Sequence, residues 1–305
     1  MPELPDVEVY VERLRAYTLG KPLQGISVRS PFVLRTVSPP LASFAGRPVD
    51  EVRRLGKRIA LGFEGGPFLV LHLMIAGRLR WRVDAPGPGA RDVLAVFHWP
   101  GGHLIFTEAS QKRRASLHAI ADEAGLVVFE RGGLEVLWAD RAVFAAVLRS
   151  ERHTVKRTLT DPRLISGIGN AYSDEILHRA QLSPARWTST LDEGEIDRLY
   201  ASTQGVLTEF TDRLRAEVGD GFPDKVTAFR ADMAVHGKFR QPCPVCSTLV
   251  QRIAYADNET NYCPTCQTEG KLLADRALSQ LLKGDWPRTL EELEERKLAA
   301  RSDKS

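Results

Sequence analysis

Four cysteines are the residues whose spacing points most directly to chemistry. They occur as two C-x2-C pairs separated by sixteen residues. Two such pairs around a long spacer are typical of a site in which four thiolates bind one zinc ion. Ordinary structural cysteines or disulfide partners are the alternative, but the chain carries no signal peptide that would indicate an oxidising compartment. We therefore predict one structural Zn²⁺ site with the ligands Cys243, Cys246, Cys263 and Cys266.

The spacer between the two cysteine pairs predicts a β-hairpin. Its residues, 247–262, alternate enough apolar side chains for two short strands, with the turn at 256–259. A hairpin of this size has no core of its own, so the metal would hold it together. Such a zinc hairpin usually presents residues to a partner.

The first residues, "MPELPDVEV", form a second candidate for chemistry. Pro5 is predicted to be the first residue of a helix and Asp6 to lie in its first turn, where the helix dipole favours a negative charge. Pro2 and Glu3 lie upstream of that helix and are too few to bury anything. The alternative is that these two residues are simply the start of the chain and have no function.

Removal of Met1, which is normal before proline, would give Pro2 a free secondary amine. An α-amino group has a pKa of about 8, so on the order of a tenth of it is neutral at pH 7, far more than of a lysine. Such an amine can attack an electrophilic carbon and form an iminium ion with a sugar aldehyde carbon. Glu3 could then act as the acid or base that opens the sugar ring.

Composition is that of a soluble globular protein with room for two domains. Of the 305 residues, 43% are hydrophobic and 27% are charged, without a run of membrane-spanning length. We expect a cytoplasmic monomer without membrane association. The net charge of +3 only weakly indicates an anionic partner. Basic clusters at 53–58, 111–114 and 153–157 indicate an anionic partner more strongly. A single basic run is usually a solvated face, but three of them together favour a partner.

Hydrophobic spacing gives the order of the elements. A helix is predicted over residues 5–19, with Val7, Val9, Leu14 and Tyr17 facing the interior. Short apolar runs bounded by Gly and Pro predict strands at 23–29, 57–63, 67–74, 78–83, 92–99 and 103–108. Helical spacing follows at 141–149, 155–161, 170–180 and 195–218. The tail after 284 has the apolar content of at most one amphipathic helix, and its end is expected to be disordered.

These elements predict an α+β multidomain fold. It consists of an N-terminal helix with a two-layer β-sandwich, then a helical domain, then the zinc β-hairpin. The predicted divisions are a catalytic domain at 1–132, a helical domain at 133–235, the zinc hairpin at 236–270 and a partly disordered extension at 271–305.

Five segments taken in order resemble one family. "MPELPDVE", "LGKR", "LHLMIAG", "SGIGNAYSDEILHRA" and "CPVC…YCPTCQ" are similar, in order and approximate spacing, to the formamidopyrimidine-DNA glycosylase and endonuclease VIII family of base-excision repair enzymes. The resemblance covers residues 2 to about 268. It implies that the helical domain carries a helix-two-turn-helix, and that the partner is double-stranded DNA with damaged bases or abasic sites.

The resemblance also implies roles for individual residues. Pro2 would be the nucleophile at C1′ of the damaged nucleotide, Glu3 the acid or base, and Lys57 a phosphate contact that assists catalysis. Asp6 stands where the family usually has glutamate. The DNA-binding residues it implies are Met74, Ile75, Arg91, Arg113, Lys156, Gly169, Asn170 and the position of Asn258. Glycines before a helix suit this role, because backbone N–H groups at a helix start bind phosphate.

Several positions depart from the family pattern. Ile75 stands at the position of the methionine that enters the duplex, with Met74 where glycine is usual. Ala115 stands about where an aromatic wedge belongs, on a loop that is longer than the family's, and Arg113 could supply that loop's cation. Asn258 replaces the hairpin arginine that holds phosphate. The stretch 219–233 lacks the familiar segment that covers 8-oxoguanine.

Three functions are therefore open. The first is a DNA glycosylase that also has lyase activity at abasic sites. The second is a protein of the same fold that binds damaged DNA with weak or no strand cleavage, which Asn258 and Ala115 favour. The third is a zinc-hairpin DNA-binding regulator whose first residues are incidental. Pro2, Glu3 and Lys57 argue against the third, because a binding protein has no need of an unblocked amine.

Overall fold

The computed structural model describes residues 1–87, 89–224, 226, 230–255, 258–273 and 286–302. Contacts divide the chain into two compact units. Unit 1 contains Met1–Gly133 and Leu207–Ala228, and unit 2 contains Leu134–Val206 and Phe229–Ser305. The four-part division expected from the sequence stays a prediction.

Helix α1 opens unit 1 and spans Leu4–Thr18. Pro5 is its second residue, so the prediction that the helix starts at Pro5 is wrong by one residue. Glu3 is the N-cap and forms a reciprocal capping box with Asp6, in which the Glu3 backbone N–H donates to the Asp6 carboxylate at 2.9 Å. Pro2 and Glu3 are both buried, which corrects the expectation that they bury nothing.

The interior face of α1 is largely the predicted one. Val7, Val9 and Leu14 are at most 1% exposed. Tyr17 is half-buried and packs its ring edge against Trp81, with ring centroids 4.9 Å apart. Helix α1 is thereby anchored to the core of unit 1.

Eight strands of unit 1 form two antiparallel sheets. They are β1 Gly25–Val28, β2 Val49–Leu55, β3 Arg58–Phe63, β4 Phe68–His72, β5 Gly77–Arg82, β6 Val93–Trp99, β7 Gly102–Glu108 and β8 Ser116–Ile120. One sheet has the order β1-β6-β7-β5 and the other β2-β3-β4-β8. A shared apolar core that includes Leu61, Leu71, Phe97 and Phe106 lies between them. The predicted two-layer sandwich is confirmed.

Strands β2 and β8 were not predicted. Buried residues recur at every third position of strand β2, at Val49, Val52 and Leu55, and charged residues lie between them. Residues 53–56 were therefore interpreted only as part of a basic cluster, whereas 57 and 58 begin the predicted strand 57–63. Strand β8 is short and mixes polar with apolar residues, but it completes the second sheet by pairing with β4.

The β4–β5 connection is fixed by a close backbone approach at Gly77. Its N–H donates to the Leu73 carbonyl at 2.8 Å, and a Cβ on Gly77 would lie 2.1 Å from that oxygen. Glycine is therefore required to close this turn. The tight turn projects Ile75, which is 57% exposed, away from the sandwich.

Unit 2 contains the predicted helices. They are α2 Arg141–Ser150, α3 Val155–Thr160, α4 Asn170–Arg179 and the long α5 Glu193–Val218, whose last residues belong to unit 1. Helix α5 begins two residues before the predicted start. The cause is a capping interaction, in which the Glu195 N–H donates to the Asp192 carboxylate at 2.7 Å and the Asp192 N–H donates to Glu195 at 3.0 Å.

The predicted hairpin follows in unit 2. Strands β9 Gln251–Ala254 and β10 Glu259–Tyr262 pair antiparallel, with Ile253 opposite Thr260. Glu259 is the first residue of β10 and not part of the turn, which corrects the predicted turn at 256–259. Residues 256 and 257 lie outside the described residues. Helix α6, Pro264–Thr268, follows the hairpin.

One helix is described in the tail, as predicted. Helix α7 spans Leu290–Ser302 and follows a bridge in which Lys271 pairs with Thr289. The predicted disorder of the chain's end falls on residues 303–305, which lie outside the described residues. Within the described part of the chain, no helix combines the length and apolar character needed to cross a membrane.

Candidate active site and nucleic-acid interface

The start of the chain lies in a buried cluster of charges. The α-amine of Met1 has a lowered pKa, chiefly because burial disfavours its charged form. The Glu3 carboxylate opposes this shift, and the cations Arg78 and Lys57 add to it. Pro2 itself is buried. The terminal amine, on the residue before Pro2, therefore lies close enough to the predicted catalytic residues Glu3 and Lys57 to interact electrostatically with both.

Lys57 reaches this cluster from the turn between β2 and β3. Gly56 precedes it with a φ of 61°, a conformation that glycine adopts without strain. Burial lowers the pKa of Lys57, and the Glu3 carboxylate opposes the shift. Glu3 thus interacts with two desolvated amines, one at the start of the chain and one on Lys57.

Two further basic residues border the cluster and were not predicted. Arg78, the second residue of β5, acts on the terminal amine, and its guanidinium donates to the Gly77 carbonyl at 2.6 Å. His72 ends β4, and its pKa falls to about 3 because of burial, with Arg58 and Lys57 adding to the effect. His72 is therefore neutral at pH 7. Its position as a lone titratable residue near the end of an otherwise apolar strand was the available sequence signal.

This arrangement combines a potential nucleophile with an anion site. A desolvated amine is more often neutral at pH 7 than an exposed one, and only the neutral form attacks carbon. Glu3 is 3% exposed and can hold or supply a proton beside it. The cations Lys57 and Arg78 act on the same amine and can bind a phosphate group beside it.

The loop between β7 and β8 presents the second basic cluster. Residues 111–114 are all exposed, and Arg113 has a positive φ of 35°. Buried Glu108 fixes the end of this loop, accepting the backbone N–H groups of Arg114 at 2.9 Å and Ala115 at 3.1 Å. Ala115 is only 2% exposed, so its side chain projects into the protein.

The remaining predicted contacts of unit 1 lie on loops. Met74 has a positive φ of 51° and directly precedes the exposed Ile75. Arg91 is exposed in the segment before β6. The stretch after α5 also packs on unit 1. The ring centroids of Phe222 and Tyr17 lie 5.8 Å apart, and the Asp224 carboxylate pairs with the Arg82 guanidinium at 2.7 Å.

In unit 2, the predicted DNA-binding residues meet at the start of α4. Gly169 is the N-cap and Asn170 the first helical residue. The Lys156 ammonium contacts the Asn170 carbonyl at 3.3 Å and the Ser173 hydroxyl at 2.8 Å. This brings a cation and the N–H groups of a helix start together, which is an arrangement that binds phosphate.

A buried carboxylate, Asp174, organises this region and was not predicted. It accepts the Lys156 ammonium at 2.5 Å, His236 Nδ1 at 2.8 Å and the Asn261 backbone N–H at 3.1 Å. The Asn170 side chain also donates to the Glu259 carbonyl at 2.6 Å. Helix α4 and the hairpin are therefore joined by hydrogen bonds on the side where the phosphate site would form.

Asn258 lies exposed at the end of the hairpin, and its carbonyl accepts the Tyr255 N–H at 2.7 Å. The cation nearest along the hairpin is Arg252. Its guanidinium pairs with Glu259 at 3.1 Å and lies 4.5 Å from the ring centroid of Phe239. Arg252 is thus already engaged within unit 2.

The four cysteine sulfurs converge as predicted. All four Sγ atoms lie within 4.8 Å of one another, and the closest pairs are 3.4 and 3.9 Å apart. Zinc bound tetrahedrally with bonds of about 2.3 Å requires sulfurs about 3.8 Å apart, whereas a disulfide requires about 2.05 Å. All four cysteines are free of disulfides. The donor set therefore fits the predicted structural Zn²⁺ site, and His178 Nε2 contacts the Cys243 sulfur at 3.2 Å.

Comparisons with known proteins match all three parts of the molecule. The formamidopyrimidine-DNA glycosylase N-terminal domain matches residues 1–115, and the H2TH domain of the same enzymes matches 135–215. A zinc finger found in FPG and IleRS matches 240–268. The fold and the metal site therefore define a zinc-containing DNA glycosylase.

Individual relatives agree along most of the chain. The formamidopyrimidine-DNA glycosylase of Thermus thermophilus is 36% identical over 276 residues, which is 88% of this chain and all of that protein. The crystal structure of the MutM (Fpg) protein of Thermus thermophilus has a TM-score of 0.72 at 33% identity, covering 87% of this chain and 98% of that one. The chain belongs to the formamidopyrimidine-DNA glycosylase family.

A Lactococcus lactis relative was solved in complex with DNA containing an oxidised pyrimidine. It has a TM-score of 0.75 at 25% identity, covering 88% of this chain and all of the other. The predicted fold class, including the helix-two-turn-helix region, and the predicted enzyme class are thereby confirmed.

The metal site yields a prediction. Replacing Cys243 with serine should release the zinc and expose the amides of the hairpin, because binding energies of about 10–16 kcal/mol hold such small metal domains folded. Elemental analysis and hydrogen exchange measure both effects. Val245→Ala, at an exposed position between two ligands, is the matched control and should change neither. Full zinc content in Cys243→Ser, or zinc-free native protein, would contradict the assignment.

Proposed function

We propose that the protein is a base-excision repair glycosylase with abasic-site lyase activity, and that it acts through the amine of Pro2. Its substrate would be double-stranded DNA that contains a damaged base or an abasic site, in the bacterial cytoplasm. The observation that carries the proposal is the burial of the chain's first residues beside Glu3 and Lys57.

The attack on the sugar and the opening of its ring each have a group that can perform them. With Met1 removed, the Pro2 nitrogen would attack C1′ of the damaged nucleotide, and the bond from C1′ to the base would break. Glu3 would donate a proton to the ring oxygen, so that the sugar opens and the nitrogen becomes an iminium ion. Loss of a C2′ proton would then break the C3′–O3′ bond, and water would release Pro2.

The cations supply the binding part of the proposal. Lys57 and Arg78 would hold a phosphate of the damaged strand near the amine. In unit 2, Lys156 and the N–H groups at Gly169 and Asn170 would bind the DNA backbone. Met74, Ile75, Arg91 and Arg113 would contact the duplex from exposed loops.

Two other functions predict a different outcome when the protein is mixed with abasic-site DNA and borohydride. A damage-binding protein without efficient cleavage is favoured by Asn258 and by the buried side chain of Ala115. A zinc-hairpin regulator would need no nucleophile at all. Borohydride reduces an iminium ion to a stable amine, so an enzyme that forms one becomes linked to abasic DNA and a binding protein does not.

Blocking the terminal amine should abolish this linkage. An extension of a few residues before Pro2 should lower borohydride trapping at least a hundredfold, because an amide nitrogen cannot form an iminium ion. Affinity for the same DNA should change less than threefold. The matched control carries the same extension at its C-terminus and should trap like native protein. Undiminished trapping by the blocked protein would show that another amine reacts.

A second prediction concerns the cleavage products and follows from Asn258. The second elimination, δ, releases a phosphate, and a cation that binds this phosphate would favour the step. Asn258 is neutral, and charge-assisted hydrogen bonds are roughly twice as strong as neutral ones. We therefore expect native protein to give more β than δ product. Asn258→Arg should raise the δ-to-β ratio about fivefold, a gain of about 1 kcal/mol.

Gel electrophoresis of the cleaved 3′ ends measures this ratio. Asn258→Gln is the matched control, because it lengthens the side chain without adding charge, and it should leave the ratio unchanged. Efficient δ product from native protein would mean that Asn258 does not decide the outcome.

A further inference from the structure

Phe32 is an exposed aromatic residue on an anchored segment. It lies in the short 3-10 turn Pro31–Val33, and 75% of its surface is exposed. The next residue, Val33, is 2% exposed and packs in the sandwich core. The turn is therefore held in place while the Phe32 ring projects outward.

The segment formed by residues 30–36 runs alongside the end of the loop that carries residues 111–114 and alongside the start of β8. Arg113 Nη1 donates to the Ser30 hydroxyl at 3.4 Å, and Leu34 forms a parallel bridge with Leu117. Thr36 continues the pattern, with hydrogen bonds of 2.9 and 2.7 Å to the Ala119 backbone. Each pair is separated by the same 83 residues.

The pairing of residues 34 and 36 with residues 117 and 119, together with the Arg113–Ser30 hydrogen bond, places the turn that carries Phe32 next to the segment that contains Ala115. Ala115 has a buried methyl group and a backbone N–H bound by Glu108, so it offers the surface no side chain. Phe32 therefore presents an exposed aromatic ring on the segment that neighbours Ala115. A single-residue alignment cannot find it, because it lies 83 residues earlier in the chain.

The surroundings of Phe32 indicate an anionic partner. Lys112, Arg113 and Arg114 are exposed on the adjacent loop, and Arg35 is exposed three residues further along the same segment. A flat apolar ring bordered by cations matches a nucleobase attached to a phosphate backbone, since bases stack on aromatic rings while cations hold the phosphates. A purely apolar protein partner would desolvate these cations without offering them an anion.

We propose that Phe32 stacks on a nucleobase of duplex DNA that has lost its pairing partner, with Arg113 beside it. The proposal rests on the proposed function, which requires that a damaged nucleotide leave the base stack. Its two anchors, Ser30 and Leu34, hold the turn before DNA arrives. Little conformational entropy is then lost on binding.

The test compares two duplexes that differ at one position. One is undamaged, and the other carries a tetrahydrofuran analogue of an abasic site, which leaves one base unpaired and cannot react. Aromatic stacking contributes about 1–3 kcal/mol per base. Phe32→Ala should therefore weaken binding to the tetrahydrofuran duplex by about 5- to 150-fold and leave binding to the undamaged duplex unchanged.

Three further variants separate stacking from other effects. Phe32→Trp keeps an aromatic face and should keep the preference for the tetrahydrofuran duplex, whereas Phe32→Leu keeps only apolar bulk and should lose most of it. Val37→Ala is the matched control, because Val37 is 90% exposed on the same segment and should have no effect. Equal thermal unfolding temperatures would show that all four variants fold.

Two results would overturn the proposal. One is an unchanged preference in Phe32→Ala, which would also be the result if the ring served a protein partner. The other is equal weakening on both duplexes. Failure of the proposed function is recognised separately, by a native protein that forms no borohydride-trapped complex on reactive abasic DNA.

Discussion

The burial of the chain's first residues is the constraint on which the rest of the site depends. Glu3 ends the extended segment and begins α1, and the hydrogen bond from its N–H to Asp6 sets the direction in which the chain enters the helix. A cap of this kind contributes about 1 kcal/mol, so most of the anchoring comes from the apolar face of α1. Because Val7 and Leu14 are fully buried, the chain's start is positioned by the sandwich core.

Two other buried carboxylates position the basic surfaces in a similar way. Glu108 holds the end of the loop that carries Arg113, and Asp174 holds Lys156 next to the start of α4. Burying a carboxylate costs several kcal/mol unless hydrogen bonds satisfy it, and each of these accepts at least two. Glu175 is a third case, since burial raises its pKa while the N–H groups of residues 234–236 oppose the shift. The cations available to DNA are thus fixed by acids that DNA would not touch.

The sequence predicted the parts of the fold that follow from local pattern. The cysteine spacing, the apolar period of α1 and the strand-like runs each depend on residues close together in the chain, and the zinc site and the sandwich followed from them. Strand β2 was missed because its buried residues lie three apart instead of two, and the residues between them include Arg53 and Arg54, which resemble a solvated basic run. Strand β8 was missed because it is defined by its pairing with β4 and not by its composition.

The unpredicted parts of the candidate site depend on long-range register. Asp174 becomes important only because folding brings Lys156, His236 and Asn261 to it. Likewise, Ala115 looks like a lost aromatic in the sequence, and only the pairing of residues 34 and 36 with residues 117 and 119 shows that the turn carrying Phe32 lies beside this segment. The conformational preferences of neighbouring residues in the chain predict neither the contacts of Asp174 nor the position of Phe32.

The central claim is that the amine of Pro2 is the group that bonds to the sugar. The most direct measurement is to reduce the complex of native protein and abasic-site DNA with borohydride, digest it, and map the modified peptide by mass spectrometry. We predict one adduct, on a peptide that begins at Pro2 and carries the sugar remnant on its α-nitrogen. An adduct on the side chain of Lys57, or on any other lysine, would contradict it.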